Sequence, residues 1–215
     1  MISVKKYIDD CMSNIEFEPP LFYNAKFGIR FELGLPFSWL DDESYFKIVQ
    51  ERALAIFSAI FKSNSPIYVI YVLFDPVEPL DAYIEGEVDF FSTFLDKSLI
   101  SDVEEFKVEE VLDEDTNELI GYTKSYGVLC TLADINYRSL LGVLGGFYNE
   151  ARMYISGRVY FIESISNIVY HIYDNRGLDV VSPDKESIFY LYRDFNQWIL
   201  NYDREQIDKS FVGMS

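Results

Sequence analysis

The chain has 215 residues, of which 36 are acidic and 18 basic, so its formal net charge is −18. Hydrophobic residues make up 49% and aromatic residues 17%, which excludes disorder for most of the chain and supports a sizeable core. The longest strongly apolar run, residues 67–74, is too short to span a bilayer, and the first ten residues lack the apolar centre of a signal peptide. The sequence therefore predicts a soluble cytoplasmic protein.

The negative charge is concentrated in the middle of the chain. Residues 63–150 contain eighteen acidic and four basic side chains, so this part supplies most of the net charge. Such a surface repels phosphate backbones and anionic lipids, which argues against nucleic-acid and membrane binding. It attracts a basic protein and speeds the encounter with it. The alternative interpretation is an ordinary acidic protein whose charge serves solubility alone.

The N-terminal part predicts two helices and two strands. The apolar face of the first helix includes Cys11, so this thiol is predicted to be buried. Residues 21–34 alternate as in a strand, which places Arg30 and Glu32 on one face as a surface ion pair. A helix follows, and then a central strand at residues 67–74 that is apolar on both faces.

Two acid-rich segments follow this central strand, and the second predicts a hairpin whose first strand lies at a sheet edge. We expect their carboxylates to form a partner-binding surface. The members of the first segment are Asp75, Glu78, Asp81, Glu85, Glu87 and Asp89. The members of the second are Glu104, Glu105, Glu109, Glu110, Asp113, Glu114, Asp115 and Glu118. The spacing around Asp113 imitates a calcium loop, but Glu118 and Lys124 stand where that loop needs glycine and glutamate.

The C-terminal part is the clearest unit. Residues 158–163 and 168–173 predict two strands, and the turn at 174–177 leads to a short third strand. Ser182 and Pro183 indicate the start of a long aromatic helix that continues to Tyr202. The fold class is therefore α+β, with a mainly antiparallel sheet covered by helices and a C-terminal three-strand meander packed under the long helix.

The polar residues of this unit offer one alternative site. His171 is the single histidine, and a polar residue satisfied within the sheet is its simplest interpretation. A ligand pocket or active site is the rival interpretation. Its residues would be His171, Asp174, Arg176, Asp179, Arg30 and Glu32. Arg176 and Asp179 would otherwise form a salt-bridged corner. One histidine and two distant cysteines exclude a zinc site, and no catalytic residue, metal or cofactor is predicted.

Three segments carry a resemblance to a known family. Residues 170–181 and 191–203 look like the C-terminal signature of a bacterial domain-of-unknown-function family, the one numbered 3885. Residues 21–34 resemble the N-terminal part of the same proteins. The resemblance implies a stand-alone cytoplasmic bacterial protein, and it implies no catalytic residues.

These features predict a single α+β domain at residues 1–203, with possible halves at 1–100 and 101–203, and a terminal turn or helix with a tail at 204–215. The function that we expect is a non-catalytic acidic binding protein. An immunity protein that neutralises a basic, nuclease-like toxin domain fits this best, because nucleases are often basic. The alternatives are a small-ligand-binding protein or enzyme, and an interaction subunit of another role. The oligomeric state is left open.

Overall fold

A computed structural model describes residues 3–38, 43–78, 86–146 and 153–214. Helices and strands are mixed along the chain. The helices are α1 Val4–Cys11, α2 Glu43–Ile60, α3 Phe90–Phe94, α4 Tyr137–Leu144, α5 Glu186–Asp194 and α6 Arg204–Phe211. The strands are β1 Phe27–Glu32, β2 Ile67–Pro76, β3 Glu104–Leu112, β4 Leu119–Cys130, β5 Arg158–Glu163, β6 Ile168–Asp174 and β7 Gly177–Ser182.

The strands form one seven-stranded sheet in the order β1-β7-β6-β5-β2-β4-β3. All neighbouring strands are antiparallel, so the predicted α+β class and antiparallel sheet are confirmed. Strand β2 lies between β5 and β4, as expected from its apolar sequence. The predicted hairpin is β3–β4, and the predicted meander is β5–β6–β7.

Both faces of the sheet are covered by apolar side chains. On one face, Phe57 of α2 packs edge-to-face against Phe161 and Tyr170 of the meander. On the other face, the ring of Tyr7 in α1 stacks on Tyr68 with 4.1 Å between ring centroids. A sheet that is covered on both sides needs strands that are apolar on both sides, which explains the composition of β2 and of the meander strands.

The C-terminal helix is shorter than predicted. Strand β7 continues through Ser182, and α5 ends at Asp194. Two 3-10 turns, Asn196–Trp198 and Asn201–Asp203, follow it, and Tyr202 is 85% exposed. The chain becomes extended at Ile199, which bridges to Phe31 at the sheet edge.

The prediction for Cys11 was also wrong, because its side chain is exposed. Helix α1 ends at Cys11, and the backbone leaves helical geometry at Met12. It is Met12, only 1% exposed, that fills the core at this point. An apolar repeat in the sequence does not show where a helix stops. The predicted helix, and with it the predicted buried face, was therefore one turn too long.

The last helix, α6, packs against the main core. Ile207 and Phe211 are both buried in the same apolar cluster as α2 and α5. Among residues 3–38, 43–78, 86–146 and 153–214, no helix combines the length and apolarity needed to cross a membrane.

Candidate functional site

The acidic hairpin lies at one end of the sheet. Strand β3 is the edge strand, and its pairing with β4 runs from Glu104 opposite Gly127 to Leu112 opposite Leu119. In the part of the chain that the structure describes, no backbone hydrogen bond covers the outer side of β3. An edge strand in this state offers a row of backbone donors and acceptors to another chain.

Five carboxylates at the far end of this hairpin are exposed, and none has a hydrogen bond or ion pair with the described residues. They belong to Glu78, Glu110, Glu114, Asp115 and Glu118. Glu78 follows the end of β2, where the amide of Val77 donates to the carbonyl of Ile120 at 3.0 Å. We call these residues the hairpin end.

Exposed apolar side chains surround the same carboxylates. Their exposed fractions run from 37% for Leu119 to 52% for Val77. The set is Phe74, Val77, Val108, Leu112, Leu119 and Ile120. Exposed apolar side chains gathered in one place, with charged residues around them, are typical of a protein-binding surface.

Two of the other predicted carboxylates fix the starts of helices. The carboxylate of Glu104 accepts hydrogen bonds from the amides of Val4 (2.8 Å) and Lys5 (3.3 Å), so it fixes the start of α1. Asp89 accepts from the amide of Ser92 and thereby caps α3.

Ion pairs and turns use several more of them. Asp75 pairs with Lys124, and Glu109 pairs with Lys107 at 2.7 Å. Asp113 closes the hairpin turn by accepting from the amides of Asp115 and Thr116. Glu105 lies beside Tyr126, whose pKa is raised by burial and by that carboxylate. Glu87 is exposed and bridges to Tyr154. Asp81 and Glu85 lie outside the described residues.

The structure brings together three residues of the second predicted site, because Asp179 lies opposite Arg30 on β1 and opposite His171 on β6. The other three, Glu32, Asp174 and Arg176, lie toward the β6–β7 turn. Arg30 and Glu32 do not pair: Glu32 accepts a weak bond from the amide of Gly34, 3.4 Å away. Arg176 pairs with Asp174 rather than with Asp179, at the exposed β6–β7 turn. Arg30 lies opposite Asp179 because β1 pairs with β7, and spacing along the chain does not reveal this strand order.

Arg30 instead joins a buried ion cluster. Its Nε donates to Asp179 at 3.0 Å and its Nη1 to Asp203 at 3.1 Å. Asp179 is fully buried and also accepts from the amide of Phe22 at 3.1 Å. The hydroxyl of Tyr23 donates to Asp203 at 2.6 Å. Burial raises the pKa of Asp179 to about 6.

This cluster joins distant parts of the chain. Arg30 and Asp203 are 173 positions apart, and the sequence offered no signal for their contact. The guanidinium carbon of Arg30 also lies 5.1 Å from the ring centroid of Tyr173. Two carboxylates already match the charge of Arg30. Through them Arg30 links β1 to β7 and to the C-terminal segment.

His171 lies in the interior, 2% exposed. Its Nδ1 is 2.9 Å from the carbonyl oxygen of Val159, and its ring stacks on Tyr160 with 4.2 Å between centroids. Burial lowers the pKa of His171 to about 4, so the imidazole is neutral near pH 7. Its Nε2 is buried, and no group of the described ranges forms a hydrogen bond with it.

Comparisons with known proteins place the chain in a family without an assigned activity. The family model described as "Domain of unknown function (DUF3885)" matches residues 4–203. The uncharacterized protein YnaE of Bacillus subtilis (strain 168) is 22% identical over 220 residues, which cover 91% of this chain and 96% of that protein. No solved structure matches the chain.

Proposed function

We propose that this chain, which belongs to the DUF3885 family, is a non-catalytic binding protein whose acidic hairpin binds a basic protein. The observation that carries the proposal is the hairpin end, where unpaired carboxylates and exposed apolar side chains stand beside an uncovered strand edge. Each of these features supplies a different part of a protein interface.

The apolar side chains supply the area that becomes buried. Leu112 and Leu119 are cross-strand partners, and Phe74 lies over Gly121, which is opposite Val111. Because these residues are neighbours in the sheet, they can contact a partner together. Burial of such side chains against a partner removes apolar surface from water, which favours the complex.

The carboxylates determine which partner is favoured. Five negative charges without partners in the described part of the chain repel an acidic surface and attract a basic one, and they raise the association rate most at low salt. An extended basic segment of the partner could also add a strand along β3, since backbone hydrogen bonds are available there.

Within this class, an immunity protein that neutralises a basic toxin domain is the specific role that we propose. Enzymes that cleave nucleic acid carry basic surfaces because their substrate is anionic. An acidic inhibitor that binds this surface competes with the substrate for the same charges.

The test is to mix the purified protein with a basic nuclease toxin domain encoded beside it in the same genome, and to measure binding by calorimetry at low and high salt. We expect a complex that weakens as salt rises, and protection of cells that express the toxin. A variant with Glu110→Lys and Glu118→Lys should lose the complex. No complex at low salt would remove the proposal.

The matched control is a variant with Glu51→Lys and Glu186→Lys. Both residues are exposed and lie on helices, outside the hairpin end, and the change in net charge is the same. This variant should keep its affinity for the toxin domain. Equal losses in the two variants would show that overall charge, and not the hairpin end, determines binding.

A further inference from the structure

Strands β5 and β6 separate at one end of their pairing. Their register runs from Glu163 opposite Ile168 to Phe161 opposite Tyr170 and stops there. Toward its start, β5 remains paired with β2, as far as Arg158 opposite Val72. The sheet therefore opens between these two neighbouring strands.

The imidazole of His171 occupies the beginning of this opening. Its Nδ1 lies 2.9 Å from the carbonyl oxygen of Val159, so a side chain takes the place of a backbone donor. A carbonyl can only accept, and therefore Nδ1 carries the proton in the neutral ring and Nε2 is left as an acceptor. This Nε2 is buried without a hydrogen-bond partner among the described residues.

A groove of about 490 Å³ lies at the opening, which is within the size range of small-molecule sites. Its walls come from the start of β5, the end of β6, the end of α4 and the segment that precedes β5. The lining residues with polar groups are Tyr154, Ser156, Arg158, His171, Tyr173, Asp174 and Asn175.

Arg158 is the cation of this groove. Its side chain is half-buried and makes no hydrogen bond or ion pair with the described residues. Along β5 its side chain points to the same face as Tyr160, on which His171 is stacked. The two groups lie close enough that, after burial, the charge of Arg158 lowers the pKa of His171 further.

We propose that the groove binds a small organic anion, a carboxylate or a phosphate, that also carries a hydroxyl group. The anionic group pairs with the guanidinium of Arg158, and the hydroxyl donates a hydrogen bond to Nε2 of His171. A buried acceptor without a partner is costly, and a single ligand of this chemistry satisfies both unpartnered groups. The site is separate from the acidic hairpin, and it does not depend on the function proposed above.

The test uses the single histidine as its own reporter. Protein labelled with ¹⁵N only in histidine gives one imidazole, whose Nε2 resonance moves when it accepts a hydrogen bond. The probes are glycerate and glycerol 3-phosphate, and propionate and ethyl phosphate are the matched compounds without a hydroxyl group. We expect a saturable shift of the Nε2 resonance with at least one hydroxylated probe, and which probe succeeds identifies the anionic group.

Two variants locate the site. Arg158→Gln should weaken binding of the hydroxylated probe about tenfold or more, whereas Arg138→Gln, at an exposed position of α4, should leave it unchanged. His171→Asn keeps an N–H for the carbonyl of Val159 but removes the Nε2 acceptor. It should abolish the preference for the hydroxylated over the matched compounds.

Two results would overturn the proposal. One is an Nε2 resonance that does not move with either hydroxylated probe at about 10 mM, where even a weak site is mostly filled. The other is binding that Arg158→Gln leaves unchanged, which would place the probe elsewhere. Both measurements use the wild-type fold or a half-buried surface position, so they remain decisive if His171→Asn does not fold.

Discussion

The two edges of the sheet differ in what covers them. At the β1 edge, the amide of Leu200 donates to the carbonyl of Arg30 at 2.8 Å, and Ile199 bridges to Phe31. At the β3 edge, no backbone partner comes from the part of the chain that the structure describes. One edge is closed by the C-terminal segment, and the other is open.

Charged residues take different roles at these two edges. At the closed edge, Asp179 and Asp203 are buried, and both pair with Arg30, whose side chain is 13% exposed. At the open edge, Glu110 and Glu118 are exposed, and neither has a side-chain partner among the described residues. The same residue types therefore stabilise the fold at one edge and remain available to a partner at the other.

The largest expected effect comes from removing the cation of the closed edge. Arg30→Met leaves Asp179 and Asp203 buried without a positive charge, because they are at most 5% exposed. We expect a loss of about 3–5 kcal/mol in the free energy of unfolding, measured by urea denaturation.

The control for this change is Arg176→Met. Arg176 also pairs with an aspartate, but its side chain is 75% exposed at the β6–β7 turn. Exposed pairs contribute about 1 kcal/mol or less. Equal losses at the two positions would show that burial of the closed edge does not matter to stability.

The next effect is a loss of stability in acid that comes from His171. The pKa of His171 is about 4 in the folded protein because the ring is buried, whereas an unfolded histidine titrates near pH 6.5. Between these values the unfolded chain binds more protons, so acidification favours unfolding. We expect His171 to cost about 3 kcal/mol between pH 7 and pH 4, as measured by urea denaturation at several pH values.

Two variants separate this effect from that of the ion cluster. His171→Phe should lose this part of the pH dependence. Asp179 acts in the opposite direction: its pKa is raised to about 6 in the folded protein by burial, so protonation below pH 6 favours folding. Asp179→Asn should therefore make the acid loss steeper. If the free energy of unfolding changed equally with pH in the wild type and in His171→Phe, the acid loss would not come from His171.

A smaller effect distinguishes two glutamates of the same edge strand. Glu104 accepts from the amides at the start of α1, whereas Glu110 has no partner among the described residues. Glu104→Ala should lower the free energy of unfolding by about 1 kcal/mol, as for a lost helix cap. Glu110→Ala should leave the urea midpoint in place, and a loss as large as that of Glu104→Ala would show that the hairpin end has a structural role.

The smallest expected effect on stability is that of reversing charges at the open edge. The variant with Glu110→Lys and Glu118→Lys should unfold at the same urea concentration as the wild type, or slightly higher at low salt because repulsion among carboxylates falls. Urea denaturation at low and high salt measures this. A large loss of stability would mean that these carboxylates serve the fold rather than a partner.

Local patterns predicted most of the sheet. Strand β2 was visible as a short apolar run, and the β6–β7 turn was visible because Asn175, Arg176 and Gly177 follow a strand-length segment. The pairing of Arg30 with Asp179 and Asp203 was not visible. It arises because β1 pairs with β7 and the C-terminal segment folds back over β1.

The candidate sites show the same limit. The sequence identified the acid-rich hairpin as a unit. It did not distinguish Glu104, which accepts hydrogen bonds from the start of α1, from Glu110, which is exposed and has no side-chain partner among the described residues. His171 was singled out as the one histidine. Its unpartnered Nε2 and its place beside Arg158 depend on where β5 and β6 separate, and that is a property of the sheet.

The sequence by itself determined the α+β class, the strand-forming segments and the uneven distribution of charge, because these depend on residue types and on spacing between neighbours. Only the tertiary structure decided which charges are buried, which sheet edge is closed and where a groove opens. Those features depend on strand order, which brings together residues as distant as Arg30 and Asp203.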